Sequence, residues 1–157
     1  MIFKWKKIIR FNISDFLDAS LFLDWLYPRR CVFCDGLLRR KEKFLCSSCS
    51  KIRPQLVLEP RCKKCGKQIL HSEKEYCYDC THFVHDFDSG RGLFLYQEPL
   101  KSAVMRFKFN GRKEYGQYLG CLMKKHSIAF IDHIKPDVVI PVPIHKKKFY
   151  TRGYNQA

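Results

Sequence analysis

Residues 31–49 read CVFCDGLLRRKEKFLCSSC, and this stretch decides how the first half of the chain folds. It holds two Cys-x-x-Cys pairs with eleven residues between them. Such a pair places two sulfur atoms on one side of a tight loop, and two pairs complete a tetrahedral metal site. The same four cysteines recur 31 residues later, at positions 62, 65, 77 and 80. A constant offset at four positions indicates two copies of one structural unit.

The eight patterned cysteines predict two structural zinc ions, because each repeat can then close its own site. The predicted ligands are Cys31, Cys34, Cys46 and Cys49 for the first ion, and Cys62, Cys65, Cys77 and Cys80 for the second. An interleaved pairing of the cysteines is the alternative, and iron also suits four thiolates. A redox centre fits less well, because a redox Cys-x-x-Cys normally stands alone at a helix N-terminus. Cys121 lies outside the pattern and is predicted to be a buried hydrophobic residue.

The N-terminal sequence bears on the compartment and hence on the state of the thiols. MIFKWKKIIR is basic like the start of a signal peptide, but acidic residues at 15, 18 and 24 interrupt the apolar segment that follows. No uncharged run approaches the roughly 18 residues of a membrane-spanning helix. We therefore expect a cytoplasmic protein, in which disulfides are rare and patterned cysteines bind metal.

The chain is strongly basic, with 30 Lys and Arg against 15 Asp and Glu and a formal net charge of +15. Two Zn²⁺ ions and eight thiolates together contribute about −4, which leaves about +11. This excess favours an anionic partner: nucleic acid, a phosphorylated ligand or an acidic membrane surface. We expect nucleic-acid contacts from five cations of one segment: Lys101, Arg106, Lys108, Arg112 and Lys113. The cations beside the cysteines can instead compensate the anionic metal cages.

Hydrophobic periodicity divides the chain into three parts. It predicts an N-terminal helical segment over 1–28 with its helix at 14–27. Residues 29–82 show little apolar periodicity and hold the two cysteine repeats, which predict a double zinc ribbon. Over 83–157 periodicity predicts a strand at 92–96, a helix between Pro99 and Asn110, a helix at about 113–126 and a buried strand at 137–142. The predicted fold class is thus a small zinc-ribbon module followed by an α/β domain. Two strands do not complete a sheet, so we expect that the domain is truncated.

The last stretch, 137–157, reads DVVIPVPIHKKKFYTRGYNQA and predicts a ligand site. Cations and free backbone amides after the end of a strand favour phosphate binding. The predicted phosphate-binding residues are Lys146, Lys147, Lys148, Arg152 and Gly153, where the glycine permits an unusual backbone turn.

The chain resembles the ComF family of competence proteins in four places, which cover nearly all of it from about residue 20. They are LDWLYPRRCVFC at 23–34, the four Cys-x-x-Cys pairs, GLFLY with LKSAVMRFKFNGR at 92–112, and IPVPIHKKKFYTRGYNQA at 140–157. The resemblance implies a double zinc ribbon joined to a type I phosphoribosyltransferase-like domain that binds phosphoribosyl pyrophosphate and Mg²⁺. It also implies cytosolic handling of single-stranded DNA in natural transformation, together with a helicase-like protein and recombination proteins.

One departure from the family pattern limits what the resemblance implies about catalysis. The acidic, Thr- and Gly-rich loop that holds the phosphoribosyl group in that family has no counterpart before Ala157. We therefore expect no phosphoribosyl transfer by this chain and assign no catalytic residue. Two alternatives are a phosphoribosyltransferase-family enzyme whose zinc module recruits partners, and a zinc-ribbon adaptor that acts through protein contacts.

Overall fold

The computed structural model describes residues 26–157, which form four α-helices and two cysteine-rich loops. Helix α1 spans Tyr78–His82, α2 Leu100–Phe109, α3 Tyr115–Ile134 and α4 Lys146–Arg152, and a 3-10 turn spans Cys49–Lys51. The helix predicted at 14–27 lies almost wholly outside the described residues. Among the helices described here, none is both long enough and apolar enough to cross a membrane.

Helices α2 and α3 confirm the two helices predicted between residues 99 and 126. Helix α2 begins after Pro99 and ends at Asn110, and the next residue, Gly111, has a positive φ of 66°. Helix α3 continues to Ile134, eight residues past the predicted end. Its true end is set by Lys135, which adopts a left-handed φ of 45° directly before Pro136.

The 31-residue repeat is confirmed by matching backbone geometry in its two copies, which we call the first and second ribbons. The first copy has the hydrogen bonds Cys31 N–Gly36 O at 2.8 Å and Val32 N–Phe44 O at 2.9 Å. Their counterparts in the second copy, shifted by 31 residues, are Cys62 N–Lys67 O at 2.8 Å and Lys63 N–Glu75 O at 2.9 Å. Isolated antiparallel bridges also recur, between Arg30 and Leu37 and between Arg61 and Gln68.

The α/β sheet predicted after residue 83 is not seen among the described residues. The segment predicted as a strand at 92–96 pairs with residues 55–57 through one isolated bridge, between Phe94 and Leu56, with hydrogen bonds from Val57 N to Leu93 O at 3.0 Å and from Leu95 N to Gln55 O at 2.9 Å. The buried strand predicted at 137–142 is not formed: Val139 and Ile140 are 80% and 79% exposed. The physical reason is that a strand is stabilised by neighbours on its edges and faces, and no other described strand lies beside this segment.

The main core forms where the first ribbon packs against α2 and α3. Val32 and Phe33 lie between two cysteines of the first ribbon and are only 2% and 3% exposed. They share one buried cluster with Leu100 and Ala103 of α2 and with Tyr115 of α3. Burying these side chains stabilises the contact between the first ribbon and the helices, although the core is small. The first ribbon is therefore an integral part of the helical unit.

The second ribbon is covered by a different segment, residues 90–92. Gly90 N donates to Lys64 O at 2.6 Å, and Gly66 lies directly against this segment with a φ of +68°. A β-carbon on Gly66 would lie 2.5 Å from Gly90 O and 2.7 Å from Arg91 Cα. Only glycine meets both the backbone requirement and the lack of space.

We predict that Gly66→Ala destabilises the protein more than Gly111→Ala does. Both glycines have a similar positive φ, 68° and 66°, but an added β-carbon meets nothing within 4 Å at Gly111. Gly111→Ala should therefore cost only the left-handed strain of about 1–2 kcal/mol, and Gly66→Ala should add about 1–3 kcal/mol for the backbone clash. Urea unfolding of the zinc-saturated variants, followed by circular dichroism, measures the difference. Equal losses in the two variants would contradict the packing described for Gly66.

Candidate metal centres and a basic cleft

Each ribbon brings four sulfur atoms together at a tight turn. In the first ribbon the turn is closed by the hydrogen bond Asp35 N–Cys31 O at 2.8 Å, and in the second by Gly66 N–Cys62 O at 2.9 Å. Asp35 and Gly66 occupy equivalent positions and both have a positive φ, 60° and 68°. This left-handed residue turns the chain so that both cysteines of a pair face the same point.

The distances between the sulfur atoms fit a tetrahedral metal site. The four ligand atoms of each group lie within 4.8 Å of one another. Cys34 Sγ and Cys46 Sγ are 3.8 Å apart, and Cys65 Sγ and Cys77 Sγ are 3.6 Å apart. A tetrahedron with Zn–S bonds of about 2.3 Å has edges of about 3.8 Å, whereas a disulfide bond measures about 2 Å. The two groups therefore fit two zinc ions, one in each ribbon, and the pairing is not interleaved.

Backbone N–H groups prepare one thiolate in each ribbon. Burial raises the pKa of Cys31, but hydrogen bonds from the backbone of Cys34, Cys46 and Phe33 outweigh that effect and lower the pKa to about 7. At the equivalent Cys62, burial is likewise outweighed by backbone hydrogen bonds, and the pKa falls to about 6. These donors stabilise negative charge on sulfur, which is the form that binds zinc.

The last cysteine of each ribbon shows the opposite behaviour. Burial and hydrogen bonds with the other thiols of its group raise the pKa of Cys49. The same causes, in the same order, raise the pKa of Cys80 to about 12. Four thiolates so close together repel one another, and a divalent cation at their centre removes that repulsion. A metal ion would therefore stabilise each group of four cysteines.

Cys121 does not occupy the buried position that its sequence context predicted. It lies on α3 and is exposed. The face of α3 that packs on the core carries Tyr115, Tyr118, Leu119 and Leu122 instead. Cys121 lies between Leu119 and Leu122 in the sequence, but its side chain is on a different side of the helix from these four residues.

The five cations predicted to bind nucleic acid fall into two groups in the structure. Arg106 Nη1 donates to Phe33 O at 2.9 Å, and Arg112 Nε lies 3.4 Å from Asp35 Oδ1. These two arginines hold the first ribbon onto the helices. The three lysines lie at the surface: Lys101 and Lys113 are exposed and Lys108 is half-buried.

Lys108 lies beside the predicted phosphate-binding residues, in a cleft between the end of α2 and α4. This basic cleft has a volume of about 430 Å³. It is lined by Lys108, Phe109, Gly111, Lys147, Lys148, Thr151, Arg152 and Gln156. Four of these residues are cations and none is acidic. Lys146 and Gly153 do not line the cleft, although Gly153 ends α4 with a φ of 81°.

Aromatic contacts hold α4 and the residues after it against α2. The Tyr154 hydroxyl donates to Phe107 O, and the two rings lie 5.3 Å apart. The Arg152 guanidinium lies 5.5 Å from the centre of the Phe109 ring. Asn155 Nδ2 also donates to Val142 O at 3.0 Å. The motif YTRGYNQ is therefore folded back onto the helix that carries Lys108.

The sequence did not reveal the contact between Tyr115 and the first ribbon. Tyr115 Oη donates its one proton to a hydrogen bond that Cys31 O, at 3.1 Å, and the Asp35 carboxylate share. Burial, followed by that hydrogen bond with Asp35, raises the pKa of Tyr115, so the hydroxyl stays a donor. Tyr115 stands at helical spacing from Tyr118, Leu119 and Leu122, but that spacing cannot show which acceptor the Tyr115 hydroxyl meets.

Comparison with known proteins agrees with this geometry. The double zinc ribbon domain matches residues 22–81, which contain all eight predicted ligands. Competence protein F of Haemophilus influenzae is 29% identical over 136 residues, which are 82% of this chain and 56% of that protein. Competence protein ComFC of Bacillus subtilis is 29% identical over 150 residues, and the match covers 81% of this chain and 58% of that protein. DNA utilization protein YhgH of Escherichia coli K12 is 26% identical over 133 residues, and the match covers 83% of this chain and 57% of that protein.

The ribbons and their cysteine groups define a double zinc ribbon protein. The ribbon match and the relatives named as competence proteins support its assignment to the ComF family. The chain spans just over half the length of those relatives, between 52% and 58%. No solved structure matches the chain.

We predict that the purified protein holds two zinc ions per chain, one for each group of four cysteines. Cys34→Ser and Cys65→Ser, which change equivalent positions, should each reduce the content to about one ion because a closed site needs all four ligands. Cys121→Ser is the matched control and should keep both ions, since Cys121 belongs to neither group. Metal analysis by mass spectrometry measures the content. A loss of both ions in either single-site variant would show that the two sites share ligands.

Proposed function

We propose that this protein acts in DNA uptake by binding the phosphates of single-stranded DNA in the basic cleft. The observation that carries the proposal is the convergence of Lys108, Lys147, Lys148 and Arg152 on one cleft with no acidic lining residue. The names of the relatives point the same way, because they describe competence and DNA utilization.

The composition of the cleft suits phosphates of a nucleic acid backbone. Lys147 and Lys148 extend from one turn of α4 and face Lys108 across the cleft. Lysine side chains contact phosphate oxygens without reading the bases, so such binding has no sequence preference. The net charge of +15 would steer a polyanion toward the protein from a distance.

Exposed aromatic rings beside the cations favour a single strand over a duplex. Phe109 lines the cleft and is 66% exposed, and Tyr150 on α4 is 85% exposed. Unpaired bases can stack on such rings, at about 1–3 kcal/mol per base, whereas bases inside a duplex cannot. The ribbons would act as a rigid scaffold, because a zinc site closed by four cysteines has no open position for catalysis.

The same cleft supports a second candidate, a small phosphorylated ligand such as phosphoribosyl pyrophosphate with Mg²⁺. Its volume of about 430 Å³ falls within the common range for small-molecule sites, about 300–1,000 Å³. On this view, residues 83–157 are the N-terminal part of a phosphoribosyltransferase-like domain. The double zinc ribbon over 29–82 would then serve to recruit partner proteins.

We predict that Lys147→Ala/Lys148→Ala weakens binding of a fluorescent oligothymidylate and lowers its salt dependence. The slope of log K against log salt should fall by about 1.4, because each phosphate contact to a single strand contributes about 0.7. Fluorescence anisotropy at several salt concentrations measures both quantities.

Lys124→Ala/Lys125→Ala is the matched control, since it removes two adjacent exposed lysines from α3, outside the cleft. It changes the net charge equally and should leave the slope unchanged. If both double variants lose the same affinity, binding depends on overall charge and the cleft is not the site. Titration with phosphoribosyl pyrophosphate and Mg²⁺ tests the second candidate, which requires competition with the oligonucleotide.

A further inference from the structure

We infer that the metal centre of the first ribbon, and not that of the second, holds α2 in the position that forms the basic cleft. The inference rests on the proposed function for its consequence in DNA binding, but the mechanical connection can be tested without DNA. It makes Arg106 and Tyr115 positioning residues, which act on the cleft without lining it.

The first step of the connection joins the metal site to the helices. Arg106 Nη1 of α2 donates to Phe33 O at 2.9 Å, and Tyr115 Oη of α3 donates to Cys31 O at 3.1 Å. Both acceptors belong to the turn between Cys31 and Cys34. The positions of these carbonyls are therefore set by the same turn that presents two sulfur atoms to the metal.

Asp35 adds a charged contact at the same turn. It accepts a hydrogen bond from the Tyr115 hydroxyl and lies 3.4 Å from Arg112 Nε. Arg112 lies just before α3 and Tyr115 is the first residue of α3, so α2, α3 and the segment between them each place one donor on one turn of five residues. The loss of this turn would therefore remove hydrogen-bond acceptors from donors on both α2 and α3.

The second step runs along α2 to the cleft. Lys108 and Phe109 follow Arg106 by two and three residues and line the cleft directly. Phe107 packs closely on α3, where a β-carbon at Gly116 would lie 2.9 Å from the Phe107 ring. Phe107 O also accepts the hydrogen bond from Tyr154. One short helix thus contacts the first ribbon near its middle and forms the cleft at its end.

The second ribbon lacks this connection. The carbonyl equivalent to Phe33 O is Lys64 O, and it accepts from Gly90 N at 2.6 Å rather than from a helix. Lys63 pairs with Glu75 and Lys67 with Asp79, both within the ribbon. The second ribbon lines one cavity together with residues of α3 that include Phe130 and His133. These residues are about 22 Å or more along the helix from Tyr115.

Metal loss should therefore have different consequences in the two ribbons. A ribbon without its ion has four thiols and little apolar core, so its turn is no longer fixed. In the first ribbon this removes the acceptors of Arg106 and Tyr115, and α2 becomes free to shift. In the second ribbon it frees residues 62–92, while the contacts between the first ribbon and α2 stay in place.

The test compares Cys34→Ser with Cys65→Ser in the full chain. The two positions are equivalent in the repeat, and neither side chain is buried in the core. We expect Cys34→Ser to lose hydrogen-exchange protection at 100–109 and to lower oligothymidylate affinity as much as Lys147→Ala/Lys148→Ala does. Cys65→Ser should lose protection only within 62–92 and keep its affinity.

A second variant covers the case in which Cys34→Ser does not fold. Tyr115→Phe removes one hydroxyl and leaves both metal sites and the net charge unchanged. It should keep two zinc ions and still lose protection at 100–109, whereas Tyr118→Phe, a partly buried tyrosine of the same helix, should not. The inference is overturned if Tyr115→Phe leaves α2 protected, or if Cys65→Ser exposes α2 as much as Cys34→Ser does.

The outcome also separates this inference from the proposed function. If the unaltered protein does not bind oligothymidylate but Cys34→Ser and Tyr115→Phe still expose α2, the proposed DNA binding is wrong and the connection through α2 stands. If the unaltered protein binds oligothymidylate and the two cysteine variants lose equal affinity, the proposed DNA binding stands and the connection through α2 is wrong.

Discussion

The rest of the described structure depends on keeping four sulfur atoms within 4.8 Å of one another in each ribbon. Of the ten buried hydrophobic residues described, four are cysteines from these groups: Cys31, Cys49, Cys62 and Cys77. Without a cation, burial and hydrogen bonds with the neighbouring thiols raise the pKa values of Cys49 and Cys80 and keep both protonated. Metal binding supplies the free energy that so small an apolar core does not.

The two ribbons share one backbone but have diverged in the residues between their cysteines. The first ribbon has Val32 and Phe33 in its first turn, where the second has Lys63 and Lys64. The apolar pair is buried against α2 and α3. The lysine pair cannot be buried in that way without the loss of its hydration. The same turn is therefore a docking surface inside the protein in one copy and a solvated surface in the other.

This divergence also explains how much the sequence could predict. Repeat spacing is a local property, so the two groups of cysteines could be predicted from the sequence, but the distances between the sulfur atoms were needed to decide against an interleaved pairing. The ends of α2 could also be predicted, because Pro99 and Asn110-Gly111 act locally. The docking of the first ribbon on the helices could not be predicted, because its contacts join residues that are far apart in the sequence. Arg106 and Phe33 are separated by 73 positions, and Tyr115 and Cys31 by 84.

The strand predicted at 137–142 failed for a related reason. A run such as VVIPV has the composition of a buried strand, but a strand is stabilised by the neighbours that pair with it and cover it. Its only pairing described here is the side-chain contact from Asn155 to Val142 O. The composition of this segment thus indicates a preference for strand, but residues 26–157 contain no neighbouring strand that pairs with it.

The basic cations are divided between two tasks according to their chemistry. Arg106 and Arg112 are half-buried and pair with a carbonyl and a carboxylate of the first ribbon. A guanidinium suits this role because its planar donors are weakly hydrated and can be withdrawn from water. Lys108, Lys147 and Lys148 instead line an open cleft, where a strongly hydrated ammonium can exchange water for phosphate oxygens. The excess of positive charge in the sequence therefore serves two purposes. The arginines hold the first ribbon to the helices, and the lysines of the cleft are the cations that an anionic ligand can reach.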